Sequence, residues 1–206
     1  SGRGQLNAKW ESEPGKNLAF SILKKNLDIP IQRVFLVSVC VSLAIIESLK
    51  DFDIPDLSIK WPNDILSGNY KIGGILIENI ITGSKIKRSI IGFGLNVNQK
   101  SFKSAPHASS LNAITGTDFD LDEIFYSLIE HLHQNMIKPF QLMESKLYAQ
   151  YHAHLFKKGQ MSTFKIHYDE QITGTIEKVS IDGKLVVKLV NGDFQEFGLK
   201  EIQLLY

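Results

Sequence analysis

Apolar positions along this chain change their period repeatedly, and each change predicts a different element. Asn17-Leu18-Ala19-Phe20-Ser21-Ile22-Leu23 alternates and predicts a strand. Residues 33–50 are apolar almost throughout, broken by Ser38, Ser42, Glu47 and Ser48, and predict a buried core helix that ends in Asp51 to Pro55. Residues 57–98 return to short apolar runs, with Ser67-Gly68-Asn69 and Thr82-Gly83-Ser84 as turns. That set closes on Ile90-Ile91-Gly92-Phe93-Gly94-Leu95-Asn96-Val97-Asn98, where alternate glycines mark close backbone approach.

Residues 99–117, with Pro106 and several serines, read as a loop. Asp120 and Glu123 have capping-box spacing. Beyond them Leu121, Ile124, Phe125, Leu128, Ile129 and Leu132 form one helical stripe. Pro139 opens a further helix with Phe140, Met143, Leu147, Tyr151 and Leu155 on its buried side. After Lys157-Lys158-Gly159 the period becomes two, over 164–166, 172–176, 185–189 and 194–197, with hairpin signals at Asp182-Gly183 and Asn191-Gly192. The expected architecture is α+β: a mixed sheet covered by helices over residues 1–156, then a small SH3-like β-barrel over residues 157–206.

Composition narrows the picture. With 43% apolar and 22% charged residues the chain builds a real core, and a net charge of +1 suggests neither a nucleic-acid scaffold nor a membrane-surface protein. The single cysteine, Cys40, excludes an internal disulfide framework. It lies in an apolar run, as a small buried hydrophobe would. The first residues are polar, and Val34–Leu49 falls short of the ~20 residues of a membrane span, so the expected compartment is the cytoplasm. His131 and His133, like His152 and His154, stand two apart and share no helical face, so no protein-bound catalytic metal is expected.

The candidate chemistry lies in Lys60-Trp61-Pro62-Asn63-Asp64 and in Lys71-Ile72-Gly73-Gly74-Ile75-Leu76-Ile77-Glu78. Two lysines, an amide and a carboxylate on short strands, beside glycines that let backbone come close, suit a site for a nucleotide's phosphates and an acyl group. The same residues also suit an ordinary surface hairpin, since Pro-Asn-Asp is a turn signal.

These segments resemble the biotin protein ligases. Gly2-Arg3-Gly4-Gln5 with Trp10, then Glu13-Pro14-Gly15-Lys16-Asn17-Leu18, is similar to that family's biotin loop and following strand. Lys60 to Asp64, Lys71 with Gly73-Gly74, and Gly92-x-Gly94-x-Asn96-Val97-Asn98 follow in the family's order, and the small β unit matches its C-terminal module. The resemblance implies an ATP-dependent ligase that makes biotinyl-5′-AMP and passes biotin to a lysine of a biotin carboxyl carrier protein. Mg²⁺ would arrive with ATP, no nucleic acid or membrane is implied, and a homodimer stays open.

Residue by residue, the resemblance implies catalytic roles for Lys71, Asp64 and Arg3. Biotin contacts would come from Gly2, Arg3, Gly4, Gln5, Lys71, Gly73 and Gly74, and ATP contacts from Trp10, Lys60, Asn63 and Asn96. Trp61 and Pro62 are expected to pack. Gln5 stands where the family commonly has a second basic residue. The chain begins inside the loop, so an expected strand and helix ahead of it would belong to a longer protein. The readings set beside this one are a lipoate or octanoyl transferase of related fold, and a non-catalytic binder of biotin or its adenylate.

Overall fold

The computed structural model describes residues 2–3, 9–103, 105–137 and 143–206. Gly2–Arg3 (β1) and Lys9–Trp10 (β2) pair antiparallel. The principal sheet has five strands: Asn17–Pro30 (β3), Leu57–Lys60 (β4), Asp64–Ser67 (β5), Tyr70–Thr82 (β6) and Lys85–Asn96 (β7), in the order β3-β7-β6-β5-β4. Every described pairing in it is antiparallel, so the α+β class holds while the expected mixed sheet is corrected. The physical reason is connection length: β4 to β7 follow one another through tight turns that cannot carry a parallel crossover.

Helix Phe35–Lys50 (α1) forms where the apolar run predicted it and packs on this sheet, with Val39, Val41, Ala44, Ile46 and Leu49 fully buried. Ile31–Lys50 is long and apolar enough to cross a membrane by length and composition, but most of it is buried in the protein core. Helices Leu121–Ile137 (α3) and Glu144–Ala153 (α4) pack against α1. At the start of α3 the Asp120 carboxylate accepts from the Asp122 N–H at 2.8 Å, so Asp120 caps the helix through the second residue on, not through Glu123 as the capping-box spacing predicts.

Two boundaries differ from expectation. Residues 99–117 contain a short helix, Leu111–Thr115 (α2), capped by Ser110, whose hydroxyl accepts from the Ala113 N–H at 3.0 Å. Strand β3 runs past Leu23 to Pro30 because its partner β7 is long enough to continue the ladder, across a register shift between Lys25 and Ile29. The helix start proposed at Pro139, with Phe140, lies outside the described residues.

A second antiparallel sheet follows, made of Met161–Lys165 (β8), Gln171–Val179 (β9), Leu185–Leu189 (β10), Phe194–Phe197 (β11) and Gln203–Leu205 (β12), ordered β11-β10-β9-β8-β12. Gly183 and Gly192 have φ of +92° and +93°, as their hairpin positions require. Trp61 joins the two sheets by donating its indole N–H to the Gly183 carbonyl at 2.9 Å.

Candidate active site

With helices on one side of the principal sheet, the register decides what faces the other. Lys60 pairs with Asp64, Asp64 with Gly74, and Gly74 with Gly94. Directly paired residues point the same way, so these four make a transverse row on the open face. Strict alternation would turn Lys71 away from Gly74. Instead the register shifts between Ile65 and Leu66, setting Leu66 opposite Lys71 and leaving Ile72 as an extra residue. That bulge brings Lys71 to the side of Asp64, and its Nζ forms an ion pair with Asp64 Oδ1 at 2.6 Å.

The glycines of the row floor the site. A Cβ on Gly94 would stand 2.5 Å from Trp10 Cε2, and one on Gly74 would stand 3.3 Å from Trp10 Cζ3. The Trp10 indole therefore lies on bare backbone, with Lys71 Nζ 5.8 Å from its ring centre. Trp10 Nε1 and Asn96 Oδ1 are both buried without a hydrogen-bond partner among the described residues. Asn96 lies two residues beyond Gly94 on β7 and so belongs to the same face. Its amide donates to the Ser109 carbonyl at 2.9 Å.

That bond helps to hold the wall. The Lys71 N–H donates to the His107 carbonyl at 2.7 Å, and the Ser109 N–H donates to the Lys71 carbonyl at 2.9 Å. Residues 105–109 thus run alongside Lys71 as an added edge. Beside them stands Tyr206, whose hydroxyl accepts from Lys60 Nζ at 3.3 Å and whose ring centre lies 4.5 Å from that ammonium. Lys60, Asp64, Lys71, His107 and Tyr206 line a cleft of about 470 Å³. Burial lowers the Lys60 pKa from its ordinary value; Lys71 acts in the same direction, and Asp64 opposes them.

The expected site residues do not all reach this face. Lys60, Asp64, Lys71, Gly74, Trp10 and Asn96 do. Gly73 is turned to the helix side, where a Cβ would stand 3.2 Å from the Gly94 carbonyl oxygen and beside Ile65. Asn63 also faces that side: its amide donates to the Ile75 carbonyl at 2.7 Å, closing the turn after a cis Trp61–Pro62 bond. Gly2 and Arg3 pair with Trp10 and Lys9 through the backbone, and the calls on Gly4 and Gln5 lie outside the described residues. His107 and Tyr206 were missed, because each comes from a segment with no motif of its own.

Residues 1–96 match the biotin/lipoate A/B protein ligase family. That match covers just under half of the chain, 96 of its 206 residues. It is 34% identical over 101 residues to the bifunctional ligase/repressor BirA of Bacillus spizizenii, covering 49% of this chain and 31% of that protein. The chain thus spans about a third of the length of that relative. It is 25% identical over 188 residues to a biotin–[acetyl-CoA-carboxylase] ligase of Mycobacterium tuberculosis, covering 90% of this chain and 68% of that one. The biotin protein ligase from Aquifex aeolicus, solved in complex with biotin and ATP, superposes with a TM-score of 0.78 at 25% identity over 98% of this chain and 84% of its own.

Proposed function

We propose that this chain is an ATP-dependent biotin ligase that forms biotinyl-5′-AMP and transfers biotin to a lysine of a biotin carboxyl carrier protein. The observation that carries the reading is the Lys71–Asp64 pair set beside the Gly74–Gly94 floor. It supplies a cation where two anions must meet, beside the Trp10 ring that the bare glycine backbone seats and that offers a flat face to a ligand.

In the first step a carboxylate oxygen of biotin attacks the α-phosphorus of ATP. A C–O–P bond forms, the bond to the β-phosphate oxygen breaks, and pyrophosphate leaves. Lys71 offsets the repulsion between carboxylate and phosphate and stays on the acyl phosphate that results. Lys60, at the cleft, meets the departing phosphates. The unpaired Trp10 Nε1 and Asn96 Oδ1 provide one donor and one acceptor for polar groups of the ligand. By the family resemblance, Gly2, Arg3, Gly4 and Gln5 are assigned to contact biotin and the acyl phosphate.

Mg²⁺ is carried on the phosphate oxygens of ATP and belongs to the substrate. Asp64 is the carboxylate at hand on this face, and its bond to Lys71 leaves it suited to orienting an amine rather than to holding a metal. In the second step the acceptor lysine attacks the acyl carbon as a neutral amine, the C–O bond to AMP breaks, and Asp64 aligns the amine and receives its proton.

The test is pyrophosphate release by the purified chain with biotin and Mg·ATP, followed by transfer to a carrier domain. Release that depends on biotin and exceeds that with lipoate or octanoate is expected. Absence of release with biotin, or preference for lipoate, would overturn the reading.

A further inference from the structure

Resting on the reading above, we propose that Tyr206 is a positioning residue that holds the Lys60 ammonium away from Asp64, so that Asp64 is kept for Lys71. Lys60 and Asp64 are direct cross-strand partners. On a bare hairpin such a pair forms an ion pair across the strands. Here Asp64 is bonded to Lys71 at 2.6 Å, while Lys60 lies over the Tyr206 ring at 4.5 Å and donates to its hydroxyl at 3.3 Å. Ring face and hydroxyl together supply what the carboxylate would otherwise give.

Tyr206 is itself fixed from two sides. Its ring stands 5.2 Å from Phe156 in an edge-on arrangement and 5.4 Å from the imidazole of His107. It follows β12, whose Gln203, Leu204 and Leu205 line the same cleft, so the second sheet meets the chemistry of the first here. Two lysines compete for one carboxylate on the open face, and the tyrosine settles which of them has it. Lys71 then stays at the glycine floor and Lys60 stays at the cleft, where the phosphates leave.

The experiment uses the full chain and three variants: Tyr206→Ala, Tyr206→Phe and Lys60→Met, with the Tyr206→Ala/Lys60→Met double variant. Tyr206→Ala should raise KM for ATP about tenfold while kcat for pyrophosphate release changes less than about threefold. Tyr206→Phe, which keeps the ring, should recover most of the loss. In the Lys60→Met background, Tyr206→Ala should add almost nothing, since it acts through Lys60. A merely structural tyrosine would instead give additive losses in both backgrounds, and that result overturns the proposal. Titration of the Lys60 ¹³Cε resonance reads the same point without turnover: its midpoint should rise in Tyr206→Ala as the ammonium moves onto Asp64. An unmoved midpoint also overturns the proposal. If the wild-type chain released no pyrophosphate, the functional reading would fail while this titration still decided the placement of Lys60.

Discussion

At the scale of single residues, Lys71 and Gly94 make separable demands. Lys71 is about one-third exposed and packs no core, so Lys71→Ala should leave the fold intact. Removing the cation that meets developing charge costs ~3 kcal/mol of transition-state stabilisation, more than a hundredfold in rate. Pyrophosphate release beside an unchanged melting curve checks this, and near-normal release would refute the role. Gly94 tests the floor. A methyl group there collides with three atoms of the Trp10 ring at 2.5 to 2.8 Å, and the indole must leave its seat. Gly94→Ala should therefore red-shift tryptophan emission and weaken ligand binding, with little loss of stability because the strand backbone is extended at this position. Emission identical to wild type would mean that Trp10 does not rest on Gly94.

At the scale of elements, α1 and the hairpins behave as their sequences suggest. Cys40 is 1% exposed on α1, and burial pushes its thiol up to about 12. It should resist disulfide exchange reagents in the folded chain and react once the protein is unfolded in guanidinium; fast labelling of the native protein would show that α1 opens. Trp61→Phe removes the bond to the Gly183 carbonyl and should cost ~1 kcal/mol of stability, read by denaturant unfolding. The helix over 35–50, the strand beginning at Asn17 and the Asp182-Gly183 turn were all legible because local periodicity and turn chemistry decide them. The placement of Lys71 was not: it depends on the bulge at Ile72, which needs the register of β5 against β6. The side occupied by Asn63 and Gly73 was hidden for the same reason, since alternation counted along one strand says nothing of which face the helices cover. Tyr206 could not be found at all from sequence, because it meets Lys60 across 146 positions.

At the scale of the whole molecule, helix α4 bridges the two sheets, and its histidines give the assembly a pH dependence of fixed sign. Tyr148 donates its hydroxyl to the Ile181 carbonyl at 3.1 Å, and His152 Nε2 accepts the Val179 N–H at 3.0 Å. Burial lowers the His152 pKa below its ordinary 6.5, outweighing the Val179 carbonyl that favours the charged ring, and Lys158 and Lys178 act in the same direction as burial. His154 is lowered as well, by burial and by Lys50. In the unfolded chain both rings titrate near the ordinary value, so as pH falls through it the unfolded state binds protons that the fold refuses. The stability these groups contribute is present above that value and is lost as pH falls. Asp28, Asp51 and Asp182 are lowered below the ordinary 3.8 and act in a more acidic window. Melting temperature should therefore drop between about pH 7 and about pH 5. His152→Gln, which retains an acceptor for the Val179 N–H but cannot take a proton in this range, should flatten that drop. Equal slopes for the two proteins would show that the contact between α4 and the second sheet does not respond to the charge of His152.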